Sequence, residues 1–410
     1  MIQRPRGTRD FLPSEMEHRR TVEQLMRGKA SLWGYREVCT PEFEELELFT
    51  ARSGQGIIEE MYVFEDKGGR MLALRPEITA AVQRMYLNEA KVAPKPLRWF
   101  YFADCFRYER PQKGRYRQFW QFGVELIGSD TAIGDAELIM LADEILRSTG
   151  IVFDLHVGHL SFMKSLLTGL PPAEQRDAMR YLDKKDYPGL KSYLTLSGKE
   201  ELFESLSVLP GCRTLDEVLS ITGEIPETGR ITEILDILDE AGTEYTLDPG
   251  IARGLDYYTG TVFEAFAENL GAENQILGGG AYRLAQVLGG DDIPSSGFAI
   301  GFDRVMVAIG EPMEKPGMAV GIVYTPEARM HAVRVAQEFR AYGIRAEADV
   351  MGRGIGAQIA HASKSVNVIV IVGERELRAG TVTLKDLKTG DQAEFSVSDA
   401  VREVETRGPR

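Results

Sequence analysis

Apolar and polar positions keep different periods along the chain, and the changes of period mark its elements. From Ser14 to Trp33 (SEMEHRRTVEQLMRGKASLW) apolar residues recur at helical spacing behind a Ser-x-x-Glu start, which predicts a helix. GYREVCTPEFEELELF follows and reads as a short strand with Pro41 near its end. MLAL (71–74) predicts a strand end, and PEITAAVQRMYLNEA a helix opened by Pro76. Residues 97–107 (LRWFYFADCFR) and 117–127 (RQFWQFGVELI) are dense in aromatic and β-branched side chains and predict two strands. Pro111 and Gly114 mark the turn between them, making a hairpin. Residues 134–149 predict an amphipathic helix.

Over residues 161–240 strands give way to successive helical patterns broken at PP, PG and PGC, which predicts a helical insertion. Strands resume at TVFEAFA (261–267), followed by the glycine cluster LGGG (277–280) and by SSGFAIGFDRVMVAI (295–309), a strand turning into a helix at GFDR. From about residue 317 strand and helix patterns alternate as a βαβαβ unit, with TVTLKDL and a final helix SVSDAVREVE behind it. A chain of 410 residues exceeds one ordinary core. The expected units are 1–160 with 241–312, an insertion over 161–240, and 317–410.

Charge changes this picture in one place. The net charge of −14 excludes a general DNA-coating role, yet residues 106–119 (FRYERPQKGRYRQF) carry five cations against Glu109. Residues 318–410 are nearly neutral, with 13 Arg and Lys against 12 Asp and Glu. No run of about 18 apolar residues predicts a membrane span, and the basic start lacks the apolar core of a secretory signal. Cys39, Cys105 and Cys212 lie far apart and form no CxxC motif, so they read as buried packing residues of a cytoplasmic protein. His156 and His159 have no third ligand, and no metal site is expected; His18, His331 and His361 read as surface residues.

Four stretches carry possible chemistry. The cationic hairpin suits phosphate oxygens, because forked guanidinium groups bind them in a way an ammonium does not; a solvated basic loop fits it equally well. ARGLDYYTGTVFE (252–264) puts Arg253 beside a glycine and two tyrosines, a polar-tipped wall for a small substrate or an ordinary strand start. LRPEITA (74–80) offers Glu77 and Thr79 at a helix start, as ligand groups or as caps. The glycine cluster is neither GxGxxG nor a P-loop and reads as a tight turn or a ligand loop.

Taken in order, LRPE, FRYERPQKGRYRQFWQFGVELIG, ARGLDYYTGTVFE, the glycine cluster and GFAIGFDRVMVAI resemble the histidyl-tRNA synthetases over nearly the whole chain. FRYERPQKGRYRQF is similar to class II motif 2, GFDR to motif 3, RGLDYY to the histidine signature, and GYREVCTPEFEELELF to the dimer-forming motif 1. One departure is Gly280-Ala281-Tyr282-Arg283, where bacterial members often have Gly-Arg-Tyr-Asp; it looks closer to archaeal-type variants.

The resemblance implies an α+β class II catalytic domain built on an antiparallel sheet, with the helical insertion and a C-terminal α/β anticodon-binding domain. It implies ATP as substrate, accompanied by Mg²⁺, with tRNA-His and histidine as partners and a homodimer as the assembly. Carried onto matching positions, it places Arg107 and Arg253 at the α-phosphate, Phe119 on adenine, Glu109 by the adenine edge or loop, and Arg304 at the γ-phosphate. Glu77 and Thr79 fall to the amino group of histidine, and Gln121, Glu125, Tyr258 and Tyr282, with Arg253, to the rest of it. Arg110, Gln112, Lys113 and Arg115 are implied at the tRNA acceptor end. Two other readings share these motifs: a regulatory subunit of ATP phosphoribosyltransferase, which typically lacks the C-terminal domain, and an ATP-binding module without transfer activity.

Overall fold

A computed structural model describes residues 2–53, 55–110, 114–252, 258–268, 270, 274–310 and 318–407. The chain divides into two units, Met1–Pro312 and Met313–Arg410.

The first unit is organised by an eight-stranded sheet. Its order is Arg36–Glu37, Leu97–Phe106, Gln118–Ile127, Ser295–Gly301, Gln275–Tyr282, Tyr258–Ala267, Phe153–His159 and Thr246–Leu247. Only the two outermost pairings are parallel; the pairings between them are antiparallel. Strand geometry sends alternate side chains to opposite faces, and this sheet uses the alternation to separate core from site. Phe122, Val124 and Leu126 pack with the helices Pro13–Leu32, Ala132–Ser148 and Phe302–Ile309 through Val22, Met26, Leu138, Ile145 and Val305. Phe119, Gln121 and Glu125 of the same strand line a cavity on the other face.

Several local expectations need correction. The glycines 278–280 are not a turn: they lie in the strand Gln275–Tyr282 and pair on both sides. Strand interiors normally disfavour glycine, but a Cβ on Gly279 would lie 2.6 Å from both Phe263 and Phe298, and one on Gly280 would lie 2.5 Å from the Thr261 carbonyl oxygen. Helix Thr79–Met85 starts three residues later than Pro76. The carboxylate of Glu77 accepts the Ala80 N–H at 3.1 Å, so the first turn forms only after it. Residues 36–50 hold two short strands and the start of helix Glu47–Ser53 instead of one strand. Cys39 is exposed, beside an edge strand, although Cys105 and Cys212 are buried.

Residues 160–240 fold as helices, with Leu182, Leu190, Leu206, Val218 and Ile231 in a core of their own. The helix Thr228–Glu240 also packs Ile234 and Leu238 into the main core. Arg230 reaches Asp135 at 2.9 Å, and Asp135 also accepts the hydroxyls of Thr261 and Ser296, each at 2.8 Å.

The second unit is a five-stranded sheet ordered Arg345–Ala348, Ala319–Tyr324, Val368–Val372, Thr381–Asp386, Gln392–Ser396. The first three strands are parallel and the last two antiparallel. Gln392–Ser396 is the extra element: a strand ends at Ser396, where the sequence pattern predicts the last helix to start, and the helix is Val397–Arg407. Val320 and Ile322 pack with the helices Arg329–Ala341 and Val397–Arg407, while Ala319 and Val323 meet Ile359 and Ala362 on the opposite face.

Candidate active site

The cavity of about 410 Å³ lies over the hairpin strands and the strands Ser295–Gly301 and Gln275–Tyr282. Its two ends differ in chemistry. One end is built on a buried carboxylate and the other on guanidinium groups.

Glu125 is 1% exposed. Its Oε1 accepts the Thr79 hydroxyl at 2.8 Å and the Tyr101 hydroxyl at 3.4 Å. Its Oε2 accepts the Tyr282 hydroxyl at 2.6 Å, and that hydroxyl in turn accepts an N–H from Gln83 at 2.9 Å. Glycines make room for this cluster. Gly297 sits opposite Glu125 in the ladder, and a Cβ there would fall 2.0 Å from Oε2. Gly123 sits opposite Tyr101, where a Cβ would fall 2.1 Å from the ring. Burial pushes the Glu125 carboxyl up to about 8, opposed by the donated hydroxyls of Tyr282 and Thr79 and reinforced by the charge of Glu77. A carboxyl held in this way is an acceptor for a ligand N–H, and it penalises any ligand that leaves it unpaired.

Tyr258 and Tyr282 are cross-strand partners, both nearly buried, at the same end. Gln121 accepts the Cys105 thiol at 3.3 Å, and burial raises that thiol well above its ordinary range. The thiol is therefore a packing group, not a nucleophile.

At the other end, Arg107 follows directly on the strand Leu97–Phe106 and donates through Nε to the Pro76 carbonyl at 2.9 Å. Its guanidinium lies 5.1 Å from the centre of the Phe119 ring. Glu109 stands between Arg107 and Arg115, at 3.9 and 3.3 Å. Arg304, in the first turn of helix Phe302–Ile309, donates to the Gln275 carbonyl at 2.6 Å, and the loop returns past its stem at Gly114. Three arginines, Arg107, Arg115 and Arg304, thus line one end of the same cavity, a field suited to a polyphosphate.

The structure therefore brings together Glu77, Thr79, Arg107, Glu109, Arg115, Phe119, Gln121, Glu125, Tyr258, Tyr282 and Arg304 around one cavity. Arg110 is exposed. Arg253, Gln112 and Lys113 lie outside the described residues. In the departing glycine strand, Arg283 pairs with Asp130 at 2.7 Å and Asp292 at 3.0 Å and is not among the residues lining the cavity.

Among the described residues, the buried groups that the sequence pattern does not single out include Tyr101, Gln83, Asp303 and Arg19, which bear on the cavity. Tyr101 and Gln83 were visible only as members of a strand and a helix pattern, and nothing in those patterns marks which face holds a polar partner. His18 and His331 are half-buried, each with its Nε2 enclosed, because each lies on a helix packed against a sheet. His159 is buried and pushed down to about 4, so it is a neutral ring. Among the described residues no three His, Cys, Asp or Glu side chains gather as a metal-binding group.

Comparison with known proteins agrees with this geometry. A family described as histidyl-tRNA synthetase matches residues 7–305, and an anticodon-binding domain matches residues 314–407. A histidine–tRNA ligase of Methanoregula boonei is 65% identical over 410 residues, covering all of both chains. The structure of apo S. aureus histidyl-tRNA synthetase has a TM-score of 0.75 at 27% identity, covering 98% of this chain and all of that one. A Bacillus halodurans C structure, described as an ATP phosphoribosyltransferase regulatory subunit/histidyl-tRNA synthetase, has a TM-score of 0.76 at 25% identity, covering 91% and 97%. The chain belongs to the histidyl-tRNA synthetase family.

Proposed function

We propose that the chain activates histidine with ATP and transfers it to the 3′ end of tRNA-His, as a histidine–tRNA ligase. The observation that carries the reading is one cavity with a buried acceptor, Glu125, at one end and Arg107 and Arg304 at the other. That arrangement fits an amino acid whose ring bears N–H groups lying against a nucleotide. The regulatory-subunit alternative is disfavoured by the relative at 65% identity, a ligase aligned over its whole length, and by the match to an anticodon-binding domain.

In the first step a carboxylate oxygen of histidine attacks the α-phosphorus, the bond to the bridging oxygen breaks, and diphosphate leaves. Both reactants are anions, so positioning and charge neutralisation dominate the barrier. Arg107 is assigned to the α-phosphate, with Arg253 on its other side, and Arg304 to the γ-phosphate. Phe119 stacks on adenine, and Glu109, standing between Arg107 and Arg115, lies by the adenine edge or the loop. Glu125, with Gln121, Tyr258 and Tyr282, holds the imidazole and carboxylate. Glu77 and Thr79 hold the amino group. Mg²⁺, when it accompanies ATP, would neutralise charge on the triphosphate; the arginines cannot ligate it, and a lining group beside them that could is the carboxylate of Glu109.

In the second step the terminal ribose hydroxyl of the tRNA attacks the histidyl carbonyl, and AMP leaves. Arg110, Gln112, Lys113 and Arg115 are assigned to the acceptor end of the tRNA. The catalytic domain is assigned to 1–160 and 241–312 with its insertion at 161–240, and residues 317–410 to the anticodon. Residues 36–50 are assigned to a two-fold dimer interface, and the cytoplasm is the expected compartment. The test is histidine-dependent exchange of diphosphate into ATP. Exchange with histidine and with no other amino acid supports the reading; its absence in folded protein refutes it.

A further inference from the structure

We propose that the N-terminal segment, residues 5–12, positions the triphosphate half of the cavity, and that Arg9 is its positioning residue. The inference rests on the function proposed above. Its starting point is Asp303, a carboxylate 2% exposed and immediately before Arg304. Arg9 and Arg19 both donate to its Oδ1, the latter at 2.8 Å, and the backbone N–H of Trp120 donates to its Oδ2 at 2.7 Å. One buried acid therefore joins the N-terminal segment, the first helix, the second hairpin strand and the start of the helix that carries Arg304.

Arg9 does more than neutralise that acid. Its guanidinium lies 3.4 Å from the centre of the Tyr116 ring, and Tyr116 lines the cavity on the returning limb of the cationic loop. Two residues earlier, the Gly7 carbonyl accepts the backbone N–H of Arg117 at 2.9 Å, and the Arg117 carbonyl accepts that of Arg107 at 2.9 Å. Arg117 Nε closes the set on the Glu109 carbonyl at 3.1 Å. Gly7 has φ +86°, and a Cβ on it would meet Arg117 Cγ at 2.7 Å. Residues 7 and 9 thus hold the returning limb of the loop, through Arg117 its outgoing limb at Arg107, and the residue beside Arg304; neither is among the described residues that line the cavity. Asp303 keeps Arg19 and the Trp120 N–H when Arg9 is removed, so the loss falls on the alignment of the loop more than on the fold.

The test separates nucleotide from amino acid. In histidine-dependent exchange, Arg9→Ala is expected to raise the KM for ATP by about 10-fold and to leave the KM for histidine within about twofold. Arg9→Lys keeps a charge beside Asp303 and is expected to recover part of the loss; Gly7→Ala should raise the KM for ATP in the same selective way. If Arg9→Ala does not fold, Arg9→Lys and Gly7→Ala carry the same comparison. An unchanged KM for ATP in folded variants, or an equal rise for both substrates, overturns the proposal and leaves the segment a structural strap. If the unaltered chain shows no histidine-dependent exchange, the function proposed above fails instead. Calorimetric ATP binding to the same variants then reads the positioning role alone, and equal affinities throughout would overturn it.

Discussion

Replacing Glu125 by Gln keeps the shape of the buried side chain and removes its charge. Both carboxyl oxygens accept hydroxyls in the structure, so one of Thr79 and Tyr282 must then face an NH₂ group. Where Glu125 is ionised, above about pH 8 in the unliganded cavity, a ligand N–H loses a charged acceptor, and a hydrogen bond to a charged group contributes about 1.5–3 kcal/mol. The histidine kcat/KM in diphosphate exchange is therefore expected to fall by roughly 10- to 150-fold, with the KM for ATP unchanged. The same variant tests the electrostatics. Burial raises the folded carboxyl from 4.5 to about 8, so the folded state holds the proton more tightly than the unfolded state. The stability that this proton confers is complete below about pH 4.5 and declines as pH rises to about 8. Glu125→Gln removes that contribution, so its denaturation midpoint should gain on the unaltered chain between those pH values. Unaltered histidine kinetics would remove Glu125 from the substrate pocket. A stability difference independent of pH would contradict the raised carboxyl.

Other outcomes follow from particular contacts. Gly297→Ala places a methyl 2.0 Å from Glu125 Oε2, so the histidine kcat/KM should fall by about 10²-fold in steady-state exchange with ATP binding retained. Asp135→Ala strips Thr261, Ser296 and Arg230 of one buried acceptor and should cost about 3 kcal/mol in urea denaturation. A chain ending at Pro312 should still form histidyl-adenylate in exchange assays but charge tRNA poorly; equal charging would refute the assignment of residues 317–410.

Legibility in the sequence followed the range of the interactions. The hairpin 97–127 and the C-terminal alternation were readable because strand and helix periods are local properties. The cationic loop could be quoted as a motif because its residues are contiguous. Glycines 278–280 were misread, since strand propensity penalises glycine and only neighbouring strands reveal that Phe263, Phe298 and Thr261 leave no room for a Cβ. Strands of two or three residues at 36–37 and 43–45 have no period to detect. The meeting of Arg9 and Arg19 on Asp303 spans almost the whole catalytic unit, and no local pattern records it. Glu125 was nominated by resemblance, but its burial and its three hydroxyl donors emerge only from strand register.

Selection of histidine in one cavity and its transfer to a tRNA can be tested together. The most direct measurement incubates the full chain with ATP, Mg²⁺ and total tRNA, offering each of the twenty amino acids in turn, and counts acid-precipitable charge. The expected result is charging with histidine alone, confined to tRNA-His and abolished in the absence of ATP. Charging with another amino acid, or adenylate formation from histidine with no transfer to any tRNA, would contradict it.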